Sequence, residues 1–222
     1  MCGRYSFSKP DLKRFGLGQL EFEFVPRYNI APSQQVPVVI SQNGCKRLLM
    51  FRWGLIPYWA KEMSIGNKLI NARAETLEEK PSFCKSLDQK RCLVLADGFY
   101  EWKSEGRVKK PYRITLQDGG TFAFAGLWDA WLSPTGQRID SCTIITTTPN
   151  KLLEPIHNRM PVILPQDVES IWLDENIKWS GEVHGMLKPF PAESLVAYEV
   201  SQLVNSPRND GPGCVVPVNS LF

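Results

Sequence analysis

The sequence predicts an α+β fold built on a mostly antiparallel sheet, and three observations carry that prediction. Short strand-like runs recur along most of the chain, and turn residues such as Asn43-Gly44 join them into hairpins. The helical stretches between them are few and short. No repeat, low-complexity stretch or linker interrupts the 222 residues, so a single domain spanning 1–222 is expected.

The elements follow in order. Residues 8–16 read as a short helix, with Ser8 as N-cap, Pro10 tolerated in the first turn and Gly16 as terminator. Residues 27–33 (Arg-Tyr-Asn-Ile-Ala-Pro-Ser) show no helix or strand period and read as a polar, aromatic loop, either a connection or a site. Residues 36–40 and 45–53 are strands of a hairpin. They lead into a stretch, 53–59, where aromatics crowd around Gly54 and Pro57. In 69–75, polar side chains come directly after the apolar pair Leu69-Ile70.

Residues 81–90 read as a helix, and 91–96 as a continuous apolar strand running into Asp97-Gly98-Phe99-Tyr100-Glu101-Trp102-Lys103. Residues 112–116 and 121–128 read as a second hairpin through Asp118-Gly119-Gly120. Residues 142–147 are a buried strand. Residues 165–173 place Val168, Ile171 and Trp172 on the core face of a helix. Late strands are expected at 195–200 and 214–218.

Composition excludes little but directs much. Hydrophobic content of 43% and charged content of 22% are ordinary for a globular protein, and a net charge of +3 neither supports nor excludes a nucleic-acid partner. No apolar run approaches the ~18 residues of a membrane span, and charges at Arg4, Lys9, Asp11, Lys13 and Arg14 interrupt any signal-peptide core. A cytoplasmic protein is expected, with its six cysteines reduced. They show no C-x-x-C spacing; Cys45, Cys92 and Cys142 lie in apolar runs and read as small buried hydrophobes. With His157 and His184 the only histidines, neither a metal site nor any other cofactor is expected.

Chemistry begins at the second residue. An initiator Met is removed when a small side chain follows, so the mature chain is expected to begin at Cys2. A terminal Cys carries an amine and a thiol on adjacent carbons. The amine condenses with an aldehyde to an imine, and the thiol then adds to the imine carbon, closing a thiazolidine. That closure is intramolecular, where effective molarities of roughly 10⁵ M or more become available. An α-amine, with a pKa of ~7.7–8.0 against ~10.4 for Lys, is also about one-tenth neutral at pH 7.

Four polar clusters stand at the ends of apolar strand-like runs: Asn71 with Arg73, Glu101, His157 with Arg159, and the loop from Asn29 to Pro32. Singly, each has a second reading. Glu101 could be the outward residue of an alternating strand, His157 a satisfied core histidine, and Asn71 the partner of a turn.

Together with Met1-Cys2-Gly3-Arg4, Arg27-Tyr28-Asn29-Ile30-Ala31-Pro32, Trp53-Gly54-Leu55-Ile56-Pro57, Asn71-Ala72-Arg73-Ala74-Glu75, Ala96-Asp97-Gly98-Phe99-Tyr100-Glu101-Trp102 and His157-Asn158-Arg159-Met160-Pro161, the chain resembles the SRAP (SOS response-associated peptidase) family, in order and over nearly its whole length. The resemblance implies a curved, barrel-like β core flanked by short helices. It also implies a monomer that senses abasic sites in single-stranded DNA, traps the ring-opened sugar on Cys2 as a thiazolidine, and removes its own Met1. Association with the nucleoid during repair follows from that role.

In this reading Asn71 positions the N-terminus, Glu101 shuttles protons, and His157 holds or protonates the sugar oxygen. Burial beside Tyr100 and Trp102 would raise the Glu101 pKa. Arg4, Arg73 and Arg159 are expected to grip phosphates. Asn29 belongs to the same DNA-facing loop as Pro32, and Pro32, Tyr58 and Trp59 offer surfaces for flanking bases; the match at Tyr58-Trp59 admits a shift of one residue.

Three other functions share some of these residues. Glutamine amidohydrolase domains also begin Met-Cys-Gly and use the α-amine as base for the thiol. They usually continue with an apolar residue where this chain has Arg4, and their glutamine-binding motif is not found. A Cys-His peptidase would pair Cys2 with His157, and a plain single-strand binding module would leave Cys2 inert.

Overall fold

The computed structural model describes residues 2–17 and 25–218; Met1, whose removal the sequence predicts, lies outside them. The strands are β1 (Tyr5–Phe7), β2 (Arg27–Ile30), β3 (Gln35–Gln42), β4 (Cys45–Trp53), β5 (Asn71–Arg73), β6 (Arg91–Ala96), β7 (Gly98–Glu105), β8 (Val108–Leu116), β9 (Phe122–Leu132), β10 (Arg138–Thr147), β11 (Met160–Pro161), β12 (Ile163–Leu164) and β13 (Leu195–Glu199). Three short helices accompany them, α1 (Cys84–Gln89), α2 (Gln166–Leu173) and α3 (Gly181–Gly185).

Five strands close into a barrel. β3 pairs with β4 and β6, β6 with β9, β9 with β10, and β10 returns to β4, the last pairing parallel and the others antiparallel. Closure leaves these strands without free edges. β6 is buried along its whole length, which is why its sequence from Cys92 to Ala96 is an unbroken apolar run rather than an alternating one. The barrel is drawn tight at Gly126, where an added Cβ would stand 2.9 Å from both Cys92 Sγ and the Thr143 carbonyl oxygen. Edge-to-face contacts of Tyr5 with Trp53 (5.2 Å) and Phe124 (5.8 Å) form an aromatic part of the core.

A second sheet, in the order β13-β8-β7-β1-β2, lays the N-terminal strand beside β7. β5 attaches to the barrel by parallel pairing with β10. Arg91 ties the helical flank to the barrel, donating to the carbonyls of Leu87, Trp172, Asp174 and Ile177 at 2.6–2.7 Å.

The Asn43-Gly44 hairpin is present, with both residues at the positive φ (52° and 74°) that its tight turn requires. Five other expectations are corrected. Residues 112–116 and 121–128 are not a hairpin: β8 pairs with β7 and β13, while β9 belongs to the barrel. The turn at 118–120 instead carries the chain from one sheet to the other, and the nearer two-residue turn Gly106-Arg107 supplies β8 with its partner. Arg27–Ile30 is a strand because β1 offers it a partner at Tyr5↔Ile30 and Phe7↔Arg27.

The helix at 8–16 shrinks to a 3₁₀ turn, Lys13–Phe15. Asp97 accepts from the Ser8 and Lys9 N–H groups and from Ser8 Oγ, holding that segment out of the helix. Residues 214–218 make a single bridge, Val200↔Pro217, since Pro217 has no N–H to continue a ladder. Cys45 is exposed at the start of its strand, whereas Cys92 and Cys142 are buried.

Candidate active site

The site is assembled where the N-terminal arm crosses three other segments. β1 pairs with β7 at Tyr5↔Phe99, and the Tyr100 N–H donates to the Arg4 carbonyl at 3.0 Å. Continuing that antiparallel register toward the N-terminus sets Gly3 opposite Glu101, and the Glu101 carboxylate lies close enough to the next residue, Cys2, to act on its thiol. Parallel pairing of β5 with β10 sets Asn71 opposite Ile144. From there its Nδ2 donates to the Cys2 carbonyl at 2.7 Å. The Asn71 Oδ1 is buried without a hydrogen bond among the described residues.

Cys2 is fully buried, and its thiol donates weakly to the Arg4 carbonyl at 3.9 Å. Burial pushes the thiol pKa up, and the Glu101 carboxylate adds to that shift. Glu101 is 2% exposed, and burial raises its carboxyl from 4.5 to about 7. The His157 Nε2 stands 3.8 Å from Glu101 Oε2. On the other side of the ring, Nδ1 lies 3.1 Å from the Arg159 N–H and 3.2 Å from the Arg159 carbonyl oxygen. The backbone therefore engages Nδ1 in either tautomer and leaves Nε2 directed at Glu101. Burial holds the imidazole below its ordinary pKa. The Cys2 thiol, a carboxyl poised near neutrality and a neutral imidazole thus meet in one place, a set able to move protons at pH 7.

The residues expected to touch DNA divide. Arg73 is exposed at the end of β5, and Tyr58 and Trp59 are 51% and 47% exposed. Lys85 Nζ lies 4.2 Å from the Tyr58 ring centroid. The segment bearing this pair packs beside the one bearing Asn71: Leu55 N–H donates to the Leu69 carbonyl, and Gly54 lies against Gly66. Pro32 is half-buried beside Ser33, whose carbonyl accepts from Arg52 Nη1 at 2.7 Å.

Asn29 departs from expectation. It is fully buried, its Nδ2 bonded to the carbonyls of Val204, Ser206 and Asn209 and its Oδ1 accepting from Arg4. No surface of it remains for DNA, so its role is to hold Arg4. Arg4 spends Nη1 on Asn29 and the Val204 carbonyl, while its Nη2 makes no hydrogen bond among the described residues. Arg159 is paired in both arms of its fork with Glu75.

Sequence reasoning missed the residues that hold these groups still. Asp210 accepts from Arg27 Nε and from the N–H groups of Tyr28 and Asn29, fastening a C-terminal strap over β2. Asp97, Arg113 and Ser6 form a buried network that pins the N-terminal arm. Neither carries a local signal, since each partner lies 91 or more residues away except Arg113 from Asp97.

A family model described as SOS response associated peptidase (SRAP) matches residues 1–207. The chain is 49% identical to the abasic site processing protein YoqW of Bacillus subtilis, over 96% of this chain and 97% of that protein. It is 36% identical to the abasic site processing protein HMCES of Gallus gallus, over 89% of this chain and 68% of that one. A crystal structure of a protein from Bacteroides thetaiotaomicron superposes with a TM-score of 0.88 at 33% identity, covering 97% of this chain and 99% of that one. By the extent of the model match and the identity to these relatives, the chain belongs to the SRAP family.

Proposed function

We propose that this protein processes abasic sites in single-stranded DNA by forming a thiazolidine between Cys2 and the ring-opened sugar. The observation that carries the reading is the Glu101 carboxyl, poised at about 7 beside Cys2 and His157. The relatives' names, abasic site processing protein, supply the substrate class.

Hydrolysis of the Met1–Cys2 peptide bond comes first, because an acylated amine forms no imine. The free amine then adds to the C1 aldehyde, forming a C–N bond, and the carbinolamine oxygen leaves as water on taking a proton from the Glu101 carboxyl. The thiol next adds to the imine carbon, forming the C–S bond. Its proton passes to the Glu101 carboxylate while the C=N electron pair returns to the ring nitrogen as a neutral amine, so the carboxyl is restored and able to act again. His157 stabilises the sugar oxygen as the ring opens, and Asn71 keeps the Cys2 carbonyl fixed. Exposed Arg73 and the Nη2 of Arg4 serve the flanking phosphates. The high pKa of the Cys2 thiol disfavours the thiolate that a Cys-His peptidase or amidohydrolase needs, and the thiol bonds Arg4 rather than the imidazole.

The test is incubation of purified protein with an abasic single-stranded oligonucleotide, with glutamine and a peptide as competing substrates. Loss of one Met by intact mass and a borohydride-independent DNA adduct are expected. A wild-type adduct rate in Cys2→Ser without reductant would end the thiazolidine proposal.

A further inference from the structure

We infer that Glu75 sets the affinity of the site for DNA by filling the Arg159 fork until a backbone phosphate displaces it. This rests on the reading of the site as a DNA interface. Arg159 Nη1 and Nη2 meet Glu75 Oε1 and Oε2 at 2.7 and 2.9 Å, the bidentate arrangement that a phosphate also adopts with arginine. The pair is asymmetric in exposure, the Arg159 side chain at 11% and the Glu75 side chain at 46%. An approaching strand therefore meets the carboxylate first, with the guanidinium behind it.

The guanidinium does not depend on Glu75 for its place. Arg159 Nη2 also donates to the Thr146 carbonyl at 2.6 Å, at the point where β11 leaves β10. Its own backbone holds the His157 ring, so the fork lies two residues from the proposed chemistry. Glu75 sits on a 3₁₀ turn, Ala74–Thr76, directly after β5, and Arg73 is close enough to act on the carboxylate. Hydrogen bonds from Arg159 hold the Glu75 carboxyl below its usual pKa, so it is an anion at neutral pH.

The consequence is an exchange of one anion for another. Engaging a phosphate at Arg159 releases a carboxylate beside the bound strand, and this subtracts from the gain that an unpaired arginine would give. Intact single strands are held more weakly, and Arg159 adds little to the salt dependence of binding.

The measurement is fluorescence anisotropy of an intact, unmodified single-stranded oligonucleotide across a salt series, with wild type, Glu75→Gln, Arg159→Ala and the double variant. Glu75→Gln is expected to bind about 3- to 10-fold tighter at low salt, with a log–log salt slope steeper by about 0.7. That gain should vanish in the Arg159→Ala background. Glu75→Ala is a second variant, expected to move in the same direction, and thermal melting checks that each protein is folded. Unchanged or weaker binding by Glu75→Gln overturns the inference, because Glu75 is then a bystander or a support that orients Arg159. A gain that persists without Arg159 overturns it too, as a general charge effect. Adduct formation by wild type on the abasic oligonucleotide reports separately on the proposed function, so either reading can fail alone.

Discussion

Replacing Glu101 by Gln should make the protein more stable and less active, and the size of the first effect follows from burial. The Glu101 carboxyl is raised from 4.5 to about 7. A raised acid pKa means that the folded state prefers the protonated form. Its contribution is therefore fully present below the unfolded value of 4.5 and is lost as pH climbs through the folded value near 7. The gap corresponds to roughly 3 kcal/mol that wild type loses by pH 8, of which about 2–3 kcal/mol falls between pH 5 and pH 8. His157, held below its ordinary pKa by burial, gains stability as pH rises through the same window, and that gain is common to wild type and Glu101→Gln. Gln keeps the volume and the hydrogen-bonding capacity but cannot ionise.

Urea denaturation of wild type and Glu101→Gln at pH 5 and pH 8, without DNA, gives two stability gaps whose difference cancels every other titrating group. The gap should shift toward the variant by about 2–3 kcal/mol at the higher pH. A gap constant with pH would show that Glu101 does not titrate in this window, and the proton-shuttle role would lose its basis. In the adduct assay the same variant should be slower by ~10²–10⁴, the usual cost of a lost general acid/base.

Two further outcomes follow. Asn71→Ala removes the 2.7 Å bond to the Cys2 carbonyl, so adduct formation should slow about 10-fold, the equivalent of ~1.4 kcal/mol in the transition state. Affinity for intact single strands should hold, and an unchanged adduct rate would reduce Asn71 to scaffold. Gly54→Ala places a Cβ 2.5 Å from the Gly66 carbonyl oxygen at a φ of +123°, so backbone strain and the clash together should lower Tm by roughly 5–15 °C. A melt within about 2 °C of wild type would contradict the close packing of those two segments.

Much of the molecule was legible because its signals are local. The Asn43-Gly44 turn, the apolar run of β6 and the capacity of a terminal Cys to form a thiazolidine each reside in a few adjacent residues. The motifs holding Cys2, Asn71, Glu101 and His157 were readable in the same way. What was not local was misread. The turn at 118–120 looks like a hairpin, yet the partner of β8 is decided by a competition among strands, and β7, two residues away, wins. Asn29 looks like a surface polar residue until carbonyls from 204–209 close over it, more than 170 residues along the chain.

Chemical identity, then, was written in the sequence, and chemical state was not. The 4.5-to-7 displacement of Glu101 comes from desolvation, and desolvation depends on everything packed around a carboxyl rather than on its neighbours in the chain. The same holds for Arg159, for which the sequence reading expects a phosphate while only the tertiary structure shows Glu75 in its fork. Residue types set which reactions are possible; burial and long-range pairing decide which groups are charged, which are occupied and which are free to act.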